Sequence, residues 1–86
     1  MNKTSDKPKK DQTYDLKSRR QMWQNYQHLK KALEFAIACR RQARDNKKLF
    51  EQYSEIVTSV FVSINHLKSA CQLQFNCKIE ALEVYK

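Results

Sequence analysis

The sequence predicts an all-α fold: a two-helix antiparallel hairpin behind a disordered basic N-terminal tail, its helical bundle completed by oligomerisation or by partner chains. Three observations carry this reading. The 86 residues contain no glycine and one proline, Pro8, where average usage of ~7% would give about six glycines. An all-β fold needs turn residues about every ten positions, and this chain lacks them. Apolar residues instead recur three and four apart along two segments, the period of amphipathic helices. Charge is also divided. Residues 1–48 hold 14 Lys and Arg against 5 Asp and Glu, a net of +9, and residues 49–86 hold 3 against 4, a net of −1. One half is suited to an anion and the other to protein.

Residues 1–13 are polar, with no apolar residue after Met1. They can bury too little to offset the entropy of ordering, and a disordered tail is expected. The tail includes Lys7-Pro8-Lys9-Lys10, a short basic cluster suited to phosphate contact.

The first helix is expected over about 15–44. Thr13 or Asp15 can cap it by accepting from orphan amides. Met22, Tyr26, Leu29, Leu33 and Ala36 fall on one stripe, with Trp23 and Ile37 on its border. The stripe gives way to the basic stretch Arg40 to Lys48, which places Arg40 on the apolar line. Cations suit a helix carboxyl end, and Asp45 or Asn46 can cap the next helix, so a break is expected at about 44–48. One uninterrupted long helix is the competing arrangement.

The second helix is expected over about 47–84. Leu49, Tyr53, Ile56, Val60, Ile64, Leu67 and Cys71 recur at helical spacing, and Phe50, Val57 and Phe61 widen that face beyond 100°. A face this wide exceeds what one neighbouring helix covers, which argues for a bundle. From Cys71 to Ile79, apolar and polar residues also alternate with the period of a strand. Strand and helix compete there, with helix favoured because no second strand is evident to pair with it.

A chain of this size makes one domain. It buries only ~60% of the surface its unfolded form exposes, so its own core contributes little net stability. The expected interface therefore comprises Met22, Tyr26, Leu29 and Leu33 on the first helix, facing Leu49, Tyr53, Ile56, Val60, Phe61, Ile64 and Leu67. Its partner is a protein, self or hetero. Non-enzymatic assembly is the favoured function.

Nucleic acid or another acidic surface is the competing partner. Arg19, Lys30, Arg41 and Lys48 align along one side of a straight helix, with Arg20 and Lys31 in a second row. Arg19 to Arg41 spans about 33 Å of helix, long enough to follow a phosphate backbone. Lys9, Lys10, Arg40, Arg44 and Lys47 add to this basic set. No zinc finger, basic zipper or glycine-bearing helix-turn-helix accompanies it, and a solvated face is the simpler account.

The remaining chemistry is sparse. Cys39, Cys71 and Cys77 are an odd number, which fits a reducing compartment, nucleus or cytoplasm, better than a disulfide framework. His66, Cys71 and Cys77 lack zinc spacing. On one continuous helix Cys71 and Cys77 would point about 240° apart. His28 and His66 have no carboxylate at helical spacing to orient them beside a nucleophile. Catalytic residues, metal ligands, cofactors and a small-molecule substrate are not expected. The weak apolar stripe of the first helix argues against a membrane partner.

Overall fold

The computed structural model describes the backbone of residues 3–85 and the side chains of residues 15–85. The fold is all-α. Helix α1 is Lys3–Gln42, helix α2 is Lys47–Phe75, and a 3-10 helix follows at Ile79–Tyr85. No strand occurs among the described residues. No helix among them is long and apolar enough to cross a membrane.

Helix α1 begins at Lys3, well before the expected start near residue 15, so the backbone of residues 3–13 is helical where a disordered tail was expected. A stretch that has little to bury can still be locally helical. Its Lys, Gln and Asp residues do not forbid local helix. The side chains of Lys9 and Lys10 lie outside the described residues.

The break between the helices occupies Ala43–Asn46 and uses no glycine. The Ala43 amide donates to both Cys39 and Arg40 carbonyls, at 3.0 and 3.1 Å, and the Asn46 amide donates to Ala43 O at 2.8 Å. Asn46 then takes extended geometry (φ −120°, ψ 100°) as the α2 cap, its Oδ1 accepting from the Leu49 amide at 3.1 Å. This is the side-chain-to-amide bond that makes Asn a preferred cap.

Contacts between α1 and α2 step in opposite order along the chain. Arg40 lies over Phe50, Leu29 and Leu67 line one groove, and Arg19 lies over Phe75. Trp23, Tyr26, Ile64, Cys71, Phe75, Ile79 and Leu82 form the buried cluster, with Met22, Leu29, Leu33, Val60 and Leu67 packed at its edge. The core therefore sits where all three elements meet. Toward and into the turn, the buried positions are the small residues Ala36 in α1 and Ala43 in the break.

The face of α2 turned to α1 is rotated from the expected one. Tyr53, Val57, Val60, Ile64, Leu67, Cys71 and Phe75 are buried or half-buried, whereas Leu49, Ile56 and Phe61 are exposed. Adjacent apolar pairs such as Ile56 and Val57 lie about 100° apart, and only one member of each can face a single neighbour.

Helix α2 also stops sooner than the expected residue 84. It ends at Phe75, and Asn76 adopts left-handed geometry (φ 54°, ψ 43°) with its amide donating to Gln72 O. Asn tolerates this conformation better than most residues, which makes it a C-terminal stop where glycine is absent. The alternating stretch is thus α-helix from Cys71 to Phe75, and its remainder leads through a bend into the 3-10 helix, with no strand. That element folds back on α1. Ile79 and Leu82 are 1% and 0% exposed, and Tyr26 Oη donates to Glu80 Oε2 at 3.1 Å.

Candidate interaction surfaces

The structure divides the expected basic row. Arg19 Nε pairs with Asp15 Oδ2 at 2.7 Å, and its guanidinium stacks over Phe75 at 4.5 Å and Tyr85 at 5.4 Å. The hydrogen bond to Asp15 raises the Arg19 pKa above its ordinary value, against a smaller opposing effect of burial. Arg19 is thus part of the packing around the 3-10 helix and does not stand out as a surface cation. Arg20 Nε donates to Tyr85 O at 3.0 Å, and Lys30 Nζ lies 5.2 Å from the Tyr26 ring centre. Both remain exposed at their tips, the ordinary behaviour of long cationic side chains lying over aromatic rings.

The rest of the basic set gathers at the turn. Arg40, Arg41, Arg44, Lys47 and Lys48 fall within nine residues, with Asp45 the one acid in that interval. Arg40 is half-buried over Phe50 at 5.8 Å, and the other four are exposed. Lys31 is exposed further along α1. Five basic residues thus gather at a corner, while Arg20, Lys30 and Lys31 stand exposed along α1.

The two long sides of the α1–α2 pair differ. One carries the 3-10 helix, which packs by Trp23 and Tyr26 and places Glu80 and Glu83 near Lys30. The other is an open groove of about 610 Å³ lined by Asn25, His28, Leu29, Ser63, His66, Leu67 and Ala70. No Lys, Arg, Asp or Glu lines it. Stepping three and four residues from Asn25 and His28 toward the turn reaches Ala32, Phe35 and Cys39 on the same side of α1. The same steps from Ser63 on α2 reach Ser59, Ile56, Gln52 and Leu49. None of these residues is charged. Phe35 is 67% exposed and Ile56 44%, so large apolar groups stand in water along this side.

Of the expected interface residues, Tyr26 and Ile64 are buried inside the chain, and Met22, Leu29, Leu33, Tyr53, Val60 and Leu67 are half-buried. Leu49, Ile56 and Phe61 face outward. Phe35 and the groove residues His28 and His66 were not among the expected set. For His28 and Phe35 the signal was the uncharged series Asn25, His28, Ala32, Phe35 and Cys39, which a search for apolar stripes passes over. Among the described residues, no group of three or more His, Cys, Asp or Glu is placed to hold a metal ion. The chain matches no protein-family model, no curated protein and no solved structure.

Proposed function

We propose that this chain is a non-enzymatic helical assembly subunit, an antiparallel hairpin that docks its uncharged side against helices of a second copy or of another protein. The observation that supports the reading is the uncharged groove, with the exposed Phe35, Leu49 and Ile56 further along the same sides of their helices by helical spacing. Large exposed apolar groups concentrated on one side of a molecule mark interaction sites. The lack of charge on this side allows a close approach even though the whole chain carries +8. The test is solution mass by light scattering, with helicity followed on the same sample. Wild type is expected as a discrete helical oligomer, and Phe35→Asp with Ile56→Asp as a monomer of unchanged helicity. A wild type that stays monomeric and fully helical at high concentration argues against self-docking and directs the search to a different helical protein. Unchanged assembly in the double variant removes this side of the molecule from the interface.

A second reading rests on the basic corner: contact with a nucleic-acid backbone through Arg41, Arg44, Lys47 and Lys48. Binding of that kind weakens with salt at about one unit of log–log slope per neutralised phosphate. Reversing Arg41, Arg44 and Lys48 to Glu is expected to abolish it while leaving assembly intact. Undiminished binding in that variant excludes the corner.

A further inference from the structure

The left-handed turn at Asn76 brings together two side chains that a continuous helix would hold apart. Cys71 Sγ and Cys77 Sγ lie 3.9 Å from each other, and both are free thiols. Cys71 is fully buried in the core cluster, whereas Cys77 is half-buried. Cys77 is therefore the more accessible of the two to a small reagent, and Cys71 the more shielded. Cys77 also stands two residues before Ile79, the first buried residue of the 3-10 helix.

We propose that Cys71 and Cys77 form a reversible dithiol–disulfide pair, oxidised by a low-molecular-weight disulfide of the glutathione type, and that the bond latches the 3-10 helix to α2. In the first step Cys77 gives its proton to solvent, and its thiolate attacks one sulfur of glutathione disulfide. A mixed disulfide forms, and one glutathione leaves as a thiolate that takes up a proton. In the second step Cys71 loses its proton to solvent and attacks the Cys77 sulfur of the mixed disulfide. The Cys71–Cys77 bond forms and the second glutathione departs and is protonated. Two electrons pass from the two cysteines to glutathione disulfide, and two glutathione thiols are produced. The sulfurs must close from 3.9 Å to the ~2.0 Å of a disulfide.

Burial, and then the hydrogen bond with Cys77, push the Cys71 thiol up to about 11, against a smaller pull downward from Arg19. Cys71 is therefore the slow, resolving partner, and Cys77 the one that meets the oxidant. The latch has a structural consequence. The 3-10 helix covers Trp23 and Tyr26, and its departure would expose the aromatic part of the core. The disulfide restricts that opening, and reduction permits it. A dithiol pair of this kind suits a reducing compartment, where disulfides are transient and regulatory. The proposal is independent of the docking reading, since it concerns the opposite side of the molecule.

The test uses the full chain in glutathione redox buffers, trapped with iodoacetamide and digested with trypsin. Lys68 and Lys78 bracket both cysteines, so one peptide, Ser69–Lys78, carries the pair, and Cys39 falls in the separate peptide Ala32–Arg40. The expected product is a Ser69–Lys78 peptide two hydrogen masses lighter and unalkylated, while Cys39 is still alkylated. A Ser69–Lys78 peptide that holds two alkyl groups, or glutathione on Cys77, at potentials where Cys39 is already modified overturns the pairing. In the oxidised chain, amide exchange across Ile79–Tyr85 is expected to slow by about ten-fold, as a local opening is suppressed. Equal exchange in the two redox forms overturns the latch.

Discussion

At the scale of single residues, the structure places unusual weight on Asn76. It is the one residue with positive φ among the described non-glycine positions, and it both ends α2 and aims the chain back at α1. Replacement by Ala, which pays the left-handed steric penalty without an Asn side chain, is expected to destabilise by about 1 kcal/mol. Asn76→Gly should be neutral or stabilising by chemical denaturation, since glycine enters this conformation freely. An Ala variant as stable as wild type would show that the turn is not fixed as described. Ile64 and Leu82 provide a second check. Ile64 is 6% exposed and Leu82 0%, and truncation of either to Ala should cost about 2–5 kcal/mol. The same change at Ile56 should leave monomer stability nearly unaltered, because its side chain faces water. These contrasts were only partly legible in the sequence. The three-and-four spacing marked Tyr26 and Ile64 as inward-facing. It had no means to choose between Ile56 and Val57, because both are apolar and the choice depends on where α1 lies. Asn76 is a common surface residue, and its left-handed geometry becomes visible only with the backbone.

At the scale of elements, the 3-10 helix and the start of α2 each make an electrostatic prediction. Glu80 is held below the usual carboxylate range, first by its own backbone amide and then by the Tyr26 hydroxyl, with Lys68 and Lys78 adding to the effect against burial. A depressed carboxylate contributes stability above its unfolded pKa of ~4.3 and loses that contribution as pH falls through the lower folded value. Glu80→Gln should therefore be less stable than wild type at neutral pH, and the gap should close below about pH 4. Trp23 fluorescence during denaturation reads both limbs, since Trp23 packs 5.6 Å from the Tyr26 ring. A gap that persists in strong acid would mean the carboxylate charge is not what Glu80 contributes. The docking of this element was invisible in the sequence for a clear reason. Tyr26 and Glu80 are 54 residues apart, and the pattern from Cys71 to Ile79, read as helix in competition with strand, carried no sign of a turn at Asn76. Helix α2 opens on Lys47 and Lys48 with no acid in its first turn. That places like charge against the positive end of the helix dipole. Lys47→Glu should raise stability by about 0.3–1 kcal/mol at low salt, and the gain should shrink as salt is added. A helix start that runs against its own dipole is a local conflict between sequence and fold.

At the scale of the whole molecule, the two sides of the α1–α2 pair make different demands. The side bearing the 3-10 helix closes its own core with Ile79 and Leu82, so the chain reaches one buried cluster without help. The other side leaves Phe35 and Ile56 in water beside an uncharged groove. The sequence indicated this imbalance through the breadth of its second apolar face, but it placed the excess on the seam between the helices. In the structure the seam takes Val57, Val60 and Ile64, and the excess is displaced to a flank. The basic corner lies at one end of that flank. A second copy docking in antiparallel register would keep the two corners at opposite ends of a four-helix bundle, where screening over a Debye length of about 8 Å at physiological salt makes their repulsion small. A parallel arrangement would place both corners side by side. Self-association is therefore expected to be antiparallel and to depend only weakly on salt. Spin labels at residue 47 should report long separations between copies, and labels near the groove at residue 63 short ones. Short distances at residue 47, together with an association that strengthens steeply as salt is added, would establish the parallel arrangement and make the corner a brake on assembly.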